Sequence, residues 1–267
     1  MKTASHAART NPGPSAPAWS AQDLKRAVHG APDKADRIRR MFGAIAHRYD
    51  LNNRLHSFGR DQAWRRAAVR LAGVKPTDRV LDVACGTGDL TRAFADAGAA
   101  RIVGLDFTPE MLAIARRKRL IRAGAPDDAP PVIDYTEGDA MALPFDDGSF
   151  DIVSIAFGLR NVAEPDIALR EFRRVLAPGG RLIILEFSRP TFPPIAWVHD
   201  LYCRVIMPRT AALIAGDRVG AYRYLPRSVE TFASREEVGA AMEHAGFHRV
   251  IMRPMTFGVC IAYRSDA

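Results

Sequence analysis

Apolar residues in this chain recur with two different periods, and the alternation between them sets out the architecture. Short apolar runs at 79–84, 101–106, 132–136, 150–156 and 181–187 have the length and the Gly, Pro or Asp boundaries of buried strands. Between them, near 89–98, 108–122 and 164–176, apolar residues return every three or four positions, which is the helical step. A helix near 234–245 and a closing strand pair at 248–253 and 258–264 follow. This rhythm predicts an α/β fold with a mostly parallel sheet of seven strands, helices on both faces, and a ligand site at the carboxyl ends of the strands. Asp82, Asp106, Asp139 and Ala156 stand at such ends.

Two segments depart from the rhythm. From Gln22 to about Ala72 the pattern is helical throughout, with Ile38, Met41, Phe42, Ile45 and Tyr49 at three- and four-residue steps, so residues 21–72 are expected to form a helical lid ahead of a core at 73–267. Between 188 and 233, Pro190, Pro193, Pro194, Pro208 and Pro226 punctuate apolar helical pieces. An insert of that kind suits an acceptor site or a contact between subunits of a homodimer. Residues 1–20, rich in Ala, Pro and Ser, are expected to be disordered. They lack the apolar centre of a secretory signal; Arg9 and the absence of acids suit a mitochondrial presequence, but the prolines break the amphipathic helix that one needs.

Charge and cysteine content narrow the class. The 267 residues carry a net charge of +8, and nine Lys/Arg against three Asp in residues 1–48 place +6 of it there. Such a cluster attracts anionic lipid or nucleic acid. No RNA-binding signature accompanies it, which leaves a membrane surface or a merely solvated face. No run of 18 apolar residues exists, so the expected location is cytoplasmic, peripheral at the inner face of a membrane. Cys85, Cys203 and Cys260 are too scattered for a disulfide framework or a metal site, so no metal is expected.

The chemistry is concentrated at Val80-Leu81-Asp82-Val83-Ala84-Cys85-Gly86-Thr87-Gly88-Asp89. Gly86 and Gly88 permit backbone angles closed to other residues, so a ligand can lie against the main chain. Thr91 occupies the place of a third glycine, so the dinucleotide fingerprint is not met, and Asp82 with Asp89 repels phosphate. Eighteen residues past Gly88, Asp106 closes the next strand where an acid grips ribose hydroxyls. A cationic or neutral nucleoside fits this set, and S-adenosylmethionine is the expected cofactor. Gly138-Asp139-Ala140, Phe150 to Ser154 and Pro178-Gly179-Gly180 then follow in the order used by class I S-adenosylmethionine-dependent methyltransferases, which implies a Rossmann-like core.

More specific elements are Met41-Phe42-x-x-Ile45-Ala46-x-Arg48-Tyr49-Asp50-Leu51-x-Asn53, Phe157-Gly158-Leu159-Arg160-Asn161-Val162, Leu185-Glu186-Phe187-Ser188-Arg189-Pro190 and Tyr222-x-Tyr224-Leu225. With these the chain resembles the ubiquinone/menaquinone biosynthesis C-methyltransferases over about residues 37–260. The resemblance implies transfer of a methyl group to a ring carbon of a polyprenylated hydroquinol, either demethylmenaquinol or a methoxy-polyprenyl benzoquinol. It implies cofactor contacts at Thr87, Asp106, Asp139, Ala140 and Ala156, the last standing where relatives often carry Ser; Asp82, Gly86 and Gly88 are added to the cofactor site by the turn itself. Tyr263 stands where they usually show a histidine. Arg160 and Asn161 are implied in catalysis.

A ring carbon becomes nucleophilic once a neighbouring hydroxyl is deprotonated, and a nearby cation that stabilises the phenolate, with water carrying the proton away, suffices without a strong base. Arg160 is the expected group; read from spacing alone, it and Asn161 are a strand-end salt bridge and a helix cap, and the resemblance reverses that reading. Tyr49 and Asp50 either contact the ligands or pin the lid, and His47 beside Arg48 reads as a solvated histidine. The rival readings are a small-molecule O- or N-methyltransferase on the same core and a nucleic-acid-binding module using the basic N-terminus; no nucleic-acid partner is expected.

Overall fold

The computed structural model describes residues 18–20, 22–25, 28–122, 132–207, 209–210 and 220–267. Residues 1–17 of the expected tail lie outside them. Two helices, α1 (Lys34–His56) and α2 (Arg60–Ala72), precede the core and are separated by a tight turn in which Phe58 and Gly59 both take positive φ. The core runs β1 (Arg79–Val83), α3 (Asp89–Asp96), β2 (Arg101–Asp106), α4 (Pro109–Arg122), β3 (Val132–Glu137), β4 (Phe150–Ala156), α5 (Pro165–Val175), β5 (Leu176–Phe187), α6 (Pro193–Leu201), α7 (Ala221–Glu230), α8 (Arg235–His244), β6 (His248–Met255) and β7 (Cys260–Asp266).

The seven strands form one sheet in the order β3-β2-β1-β4-β5-β7-β6, parallel except for β7, which runs antiparallel to both neighbours. Because β2 and β3 lie on one side of β1 and β4 and β5 on the other, the order reverses between β1 and β4. In such sheets a crevice opens there, outside the carboxyl ends. The central strands are apolar on both faces, as strands covered by helices on both sides must be. Leu81, Val83, Val153 and Ile184 pack with Phe172 of α5 and Met242 of α8; Val80, Ile102, Ile152 and Ile183 pack with Trp64 of α2 and Phe94 of α3. Tyr263 belongs to the first of these cores and is buried, opposite Ile184 in the β5–β7 register.

Local signals fix the helix ends. Gly73 in the left-handed region closes α2, Pro165 opens α5, and Ser234 with Glu237 forms a reciprocal capping box on α8.

The lid has a core of its own. Ile38, Met41 and Ile45 line one stripe of α1 and bury against Trp19, Val28 and Tyr224. Trp19 is 1% exposed and stacks on Tyr224 with ring centroids 4.7 Å apart. Ala18 and Trp19 are thus packed, inside the stretch that composition marked as disordered. One large aromatic outweighs the Ala- and Pro-rich residues around it.

Candidate functional site

A cleft opens at the switch point between β1 and β4, the place where open α/β sheets bind small molecules. Its walls come from the segments following β1, β2, β3 and β4, and α1 roofs it with Ile38, Phe42 and Tyr49. Of the residues expected to hold a cofactor, Gly86, Asp106, Asp139, Ala140 and Ala156 line it, as do Asn161 and Tyr49.

After β1 the chain turns through Ala84 (φ 49°), Gly86 (φ 56°) and Gly88 (φ 78°). A Cβ on Gly88 would collide with the Tyr135 hydroxyl, so that position requires glycine for space as well as conformation. The Gly86 N–H donates to Asp106 Oδ2 at 2.8 Å, and the Thr108 N–H donates to Oδ1 at 2.8 Å. These bonds fix the Asp106 carboxylate at the cleft wall; burial nonetheless raises its pKa above the ordinary carboxylate range. After the neighbouring strand β3, Asp139 is held by the Met141 N–H at 2.9 Å. Between these acids the wall is apolar, with Leu105, Phe107 and Met111.

Three expected cofactor residues sit elsewhere. Asp82 points beneath the loop, accepting from Thr91 Oγ1 at 2.6 Å and Ser154 Oγ at 2.8 Å, and burial pushes its pKa up to about 6. It braces the turn from within rather than facing the cleft. Thr87 is 2% exposed and donates through Oγ1 to Asp50 Oδ1 at 2.6 Å. Neither it nor Gly88 lines the cleft. Asp50 in turn pairs with Lys118 Nζ at 2.5 Å, and Lys118 also pairs with Asp89 at 2.8 Å. Thus Asp50 ties the lid to the glycine loop, whereas Tyr49 one residue earlier faces the cleft. His47 is exposed.

The second half of the site follows β4. Phe157 takes φ 59°, a conformation that side chains rarely adopt and that strained sites often contain. Asn161 donates through Nδ2 to the Phe157 carbonyl at 3.2 Å and accepts through Oδ1 from the Tyr224 hydroxyl at 3.0 Å. Burial raises Tyr224 to about 12, which keeps it a donor at neutral pH. Arg160 lies behind this layer. Its Nη1 donates to Glu186 Oε1 at 2.6 Å and to the Phe157 carbonyl at 2.7 Å, Nε to Ser228 Oγ at 3.3 Å, and the guanidinium stands 5.2 Å from the Phe187 ring centre. With side chains 3% and 2% exposed, Arg160 and Glu186 form a closed ion pair that does not line the cleft. The open cation expected at residue 160 is therefore neutralised, and its contacts suit it to positioning Phe157 and Asn161.

Lys34, which the sequence reading passed over, is 1% exposed at the start of α1 and donates to the Val162 carbonyl at 2.5 Å. Burial lowers it to about 8, against a raising effect of Glu164. Phe107, Thr108 and Met111 were likewise missed; the signal available was their place directly after Asp106. Among the described residues of 188–233 none lines the cleft, and α7 reaches it only through Tyr224. Among the described residues no group of His, Cys, Asp and Glu is arranged to hold a metal ion, and no helix is long and apolar enough to cross a membrane.

Comparison with known proteins agrees with this geometry. Residues 31–265 match the model of the ubiE/COQ5 methyltransferase family. The chain is 49% identical to a demethylmenaquinone methyltransferase of Thermus thermophilus, over 85% of this chain and 99% of that one. It is 42% identical to a ubiquinone/menaquinone biosynthesis C-methyltransferase of Ectopseudomonas mendocina, over 86% and 89%. A SAM-dependent methyltransferase structure from Aquifex aeolicus shares the fold, with a TM-score of 0.57 at 18% identity over 81% of this chain and 97% of that one. The chain belongs to the ubiE/COQ5 methyltransferase family, and S-adenosylmethionine is its methyl donor.

Proposed function

We propose that this member of the ubiE/COQ5 methyltransferase family methylates a ring carbon of demethylmenaquinol, yielding menaquinol. The observation that carries the reading is the 49% identity to a demethylmenaquinone methyltransferase across 99% of that relative's length, in a chain whose cleft opens at the switch point of the sheet. A second reading, methylation of a methoxy-polyprenyl benzoquinol, is supported by the relative whose name includes ubiquinone.

S-adenosylmethionine supplies an electrophilic methyl group on a sulfonium. The donor set fits it: Asp106 and Asp139 offer carboxylates to a nucleoside, Leu105, Phe107 and Met111 offer an apolar slot for a base, and Gly86 admits a ligand close to the main chain. Asn161 and Tyr49 bring polar groups to the β1–β4 side, where the acceptor ring meets the donor. Asn161 is oriented by Tyr224 and the Phe157 carbonyl, and Arg160 with Glu186 holds that carbonyl in place. Orientation of this kind is worth roughly 7–11 kcal/mol at best in a bimolecular transfer.

The acceptor's lipid tail directs attention to the outer surface. Leu51, Leu55 and Phe58 at the end of α1 and Trp197, Val198 and Leu201 on α6 are exposed, and the two groups adjoin where the Phe58 ring lies 5.9 Å from that of Tyr202. This face is our candidate for docking on a bilayer, with a second copy of the chain as the alternative occupant. The described part of the basic N-terminal cluster suits that role less, because Arg37 pairs with Asp23 and Asp33 and Arg39 pairs with Glu137. Incubating the full chain with S-adenosylmethionine and each reduced quinol in turn, with the product identified by mass, tests the reading. Methylated naphthoquinol is expected, and a protein that binds the donor yet methylates neither quinol would overturn it.

A further inference from the structure

A second buried arginine near the cleft lacks what Arg160 has. Arg65 on α2 is 7% exposed, its Nε is buried without a hydrogen-bond partner, and among the described residues its guanidinium makes no hydrogen bond or ion pair. The neighbouring carboxylates feel its charge at a distance, Arg65 helping to draw down both Asp89 and Asp82, but their hydrogen bonds go to other groups. Asp61, one turn earlier, accepts from Ser57 and Gln62; Asp82 accepts from Thr91 and Ser154; Asp89 is held by Lys118 and Arg92. The guanidinium carbon stands 5.3 Å from the ring centre of Phe157, and Phe157 lines the cleft. A buried guanidinium with no carboxylate in hydrogen-bonding contact is costly, and a ring face compensates it only in part while leaving its planar edge of N–H donors unused.

Position identifies the missing anion. Asp106 and Asp139, on the β2–β3 side, mark where the nucleoside lies. The amino-acid arm of the donor then extends to the β1–β4 side, between the Gly86 loop and Phe157. Arg65 does not itself line the cleft but stands behind Phe157 on that side: Gln62, one turn earlier on α2, bonds Asp89 at the end of the glycine loop, and Trp64 lies 6.1 Å from the Phe157 ring. The donor's amino-acid arm carries one permanent anion, its carboxylate. We propose that Arg65 is the carboxylate clamp for the amino-acid arm of S-adenosylmethionine, its fork swinging past the edge of Phe157 to meet the carboxylate. A lasting carboxylate compensates a buried cation in every bound state, which a transient phenolate does not. Arg65 is also the foremost charge drawing the Tyr49 phenol down against the rise caused by burial, which places it beside a residue that lines the cleft.

The inference rests on the donor and not on which quinol accepts the methyl group, so it stands or falls separately from the acceptor assignment. The test is calorimetry on the full chain with S-adenosylhomocysteine, its decarboxylated analogue and 5′-methylthioadenosine, which keeps the nucleoside but lacks the arm. Arg65→Met is expected to weaken S-adenosylhomocysteine by about 10- to 100-fold and leave methylthioadenosine unchanged, with Arg65→Lys in between. In the native protein, removing the carboxylate from the ligand should cost a similar factor, and in Arg65→Met the acid and its decarboxylated analogue should bind alike. Equal losses for S-adenosylhomocysteine and methylthioadenosine overturn the clamp. So does native protein that binds the decarboxylated analogue as tightly as the acid, a measurement that needs no variant to fold.

Discussion

Replacing Arg160 by methionine tests whether this arginine works by charge at the cleft or by holding its neighbours. In the native chain the pair with Glu186 is closed from water on both sides, at 2.6 Å, and Glu186 Oε1 also accepts from the Phe187 N–H. Removing one partner of such a pair leaves the other charge buried and uncompensated, which costs about 3–5 kcal/mol. For a domain of this size each kcal/mol moves the midpoint by roughly 2–4 °C, so Arg160→Met is expected to melt about 6–20 °C lower. Adding Glu186→Gln removes the stranded charge while keeping an acceptor for Phe187. The double variant should therefore melt above the Arg160→Met single, although two independent destabilising changes would add.

Activity then separates the two roles. If Arg160 holds Phe157 and Asn161 in place, the double variant recovers stability but transfers methyl slowly, and its affinity for S-adenosylhomocysteine stays near native because Asp106 and Gly86 are untouched. Differential scanning calorimetry, ligand titration and a turnover assay on the four proteins of the cycle supply the readouts. An Arg160→Met protein that melts with the native one would refute the reasoning, since it would mean that the guanidinium was not compensating a buried carboxylate.

Two further outcomes follow from named contacts. Asp89 is drawn down to about 2, with burial opposing and Lys118 the leading favourable charge, so relative to an unfolded value of 3.8 it contributes about 2 kcal/mol at neutral pH. Because the folded value is the lower one, this stability is present above the unfolded pKa and is lost as pH falls through 3.8 toward 2; urea melts of Asp89→Asn should show a constant deficit from pH 8 to 5 that shrinks below 4. Trp197→Ser and Leu201→Ser, at positions 68% and 43% exposed, should leave the melt unchanged and weaken partitioning onto anionic vesicles by about tenfold each, and unaltered vesicle binding would remove this face as the docking surface.

The strand bounds were legible to within a residue or two, apart from the start of β5, because central parallel strands are apolar on both faces; β5 begins at Leu176, five residues before the apolar run at 181, since Pro178-Gly179-Gly180 reads as a turn. That same double burial hid the direction of Asp82. In a strand covered on both sides, alternation cannot say which side chains face a ligand, and Asp82 at the end of β1 proved to brace the loop from below. The Arg160 pair was illegible because its partner is 26 residues away on another strand. Arg65 was hidden differently: α2 carries Arg60, Arg65, Arg66 and Arg70, and nothing local marks the buried unpaired one. In the tail, composition averaged over twenty residues concealed Trp19, whose ring is buried and stacked on Tyr224.

The acids around the glycine loop show why sequence proximity overstated the negative field there. Asp50, Asp82, Asp89 and Asp106 converge on one turn, and counted as charges they would repel any anion. In the folded chain Asp89 and Asp50 share Lys118, Arg92 pairs with Asp89, and Asp82 is pushed so far up by burial that it is partly protonated near pH 6. Asp106 is the one of the four that lines the cleft, joined there by Asp139 just after the next strand. The field along the cleft is thus divided: carboxylates at the β2–β3 end, and at the β1–β4 end the guanidinium of Arg65 behind Phe157, with no carboxylate in hydrogen-bonding contact among the described residues. A donor with an uncharged nucleoside at one end and a carboxylate on its amino-acid arm at the other matches that division. A dinucleotide does not, because its phosphates would have to cross the acidic half.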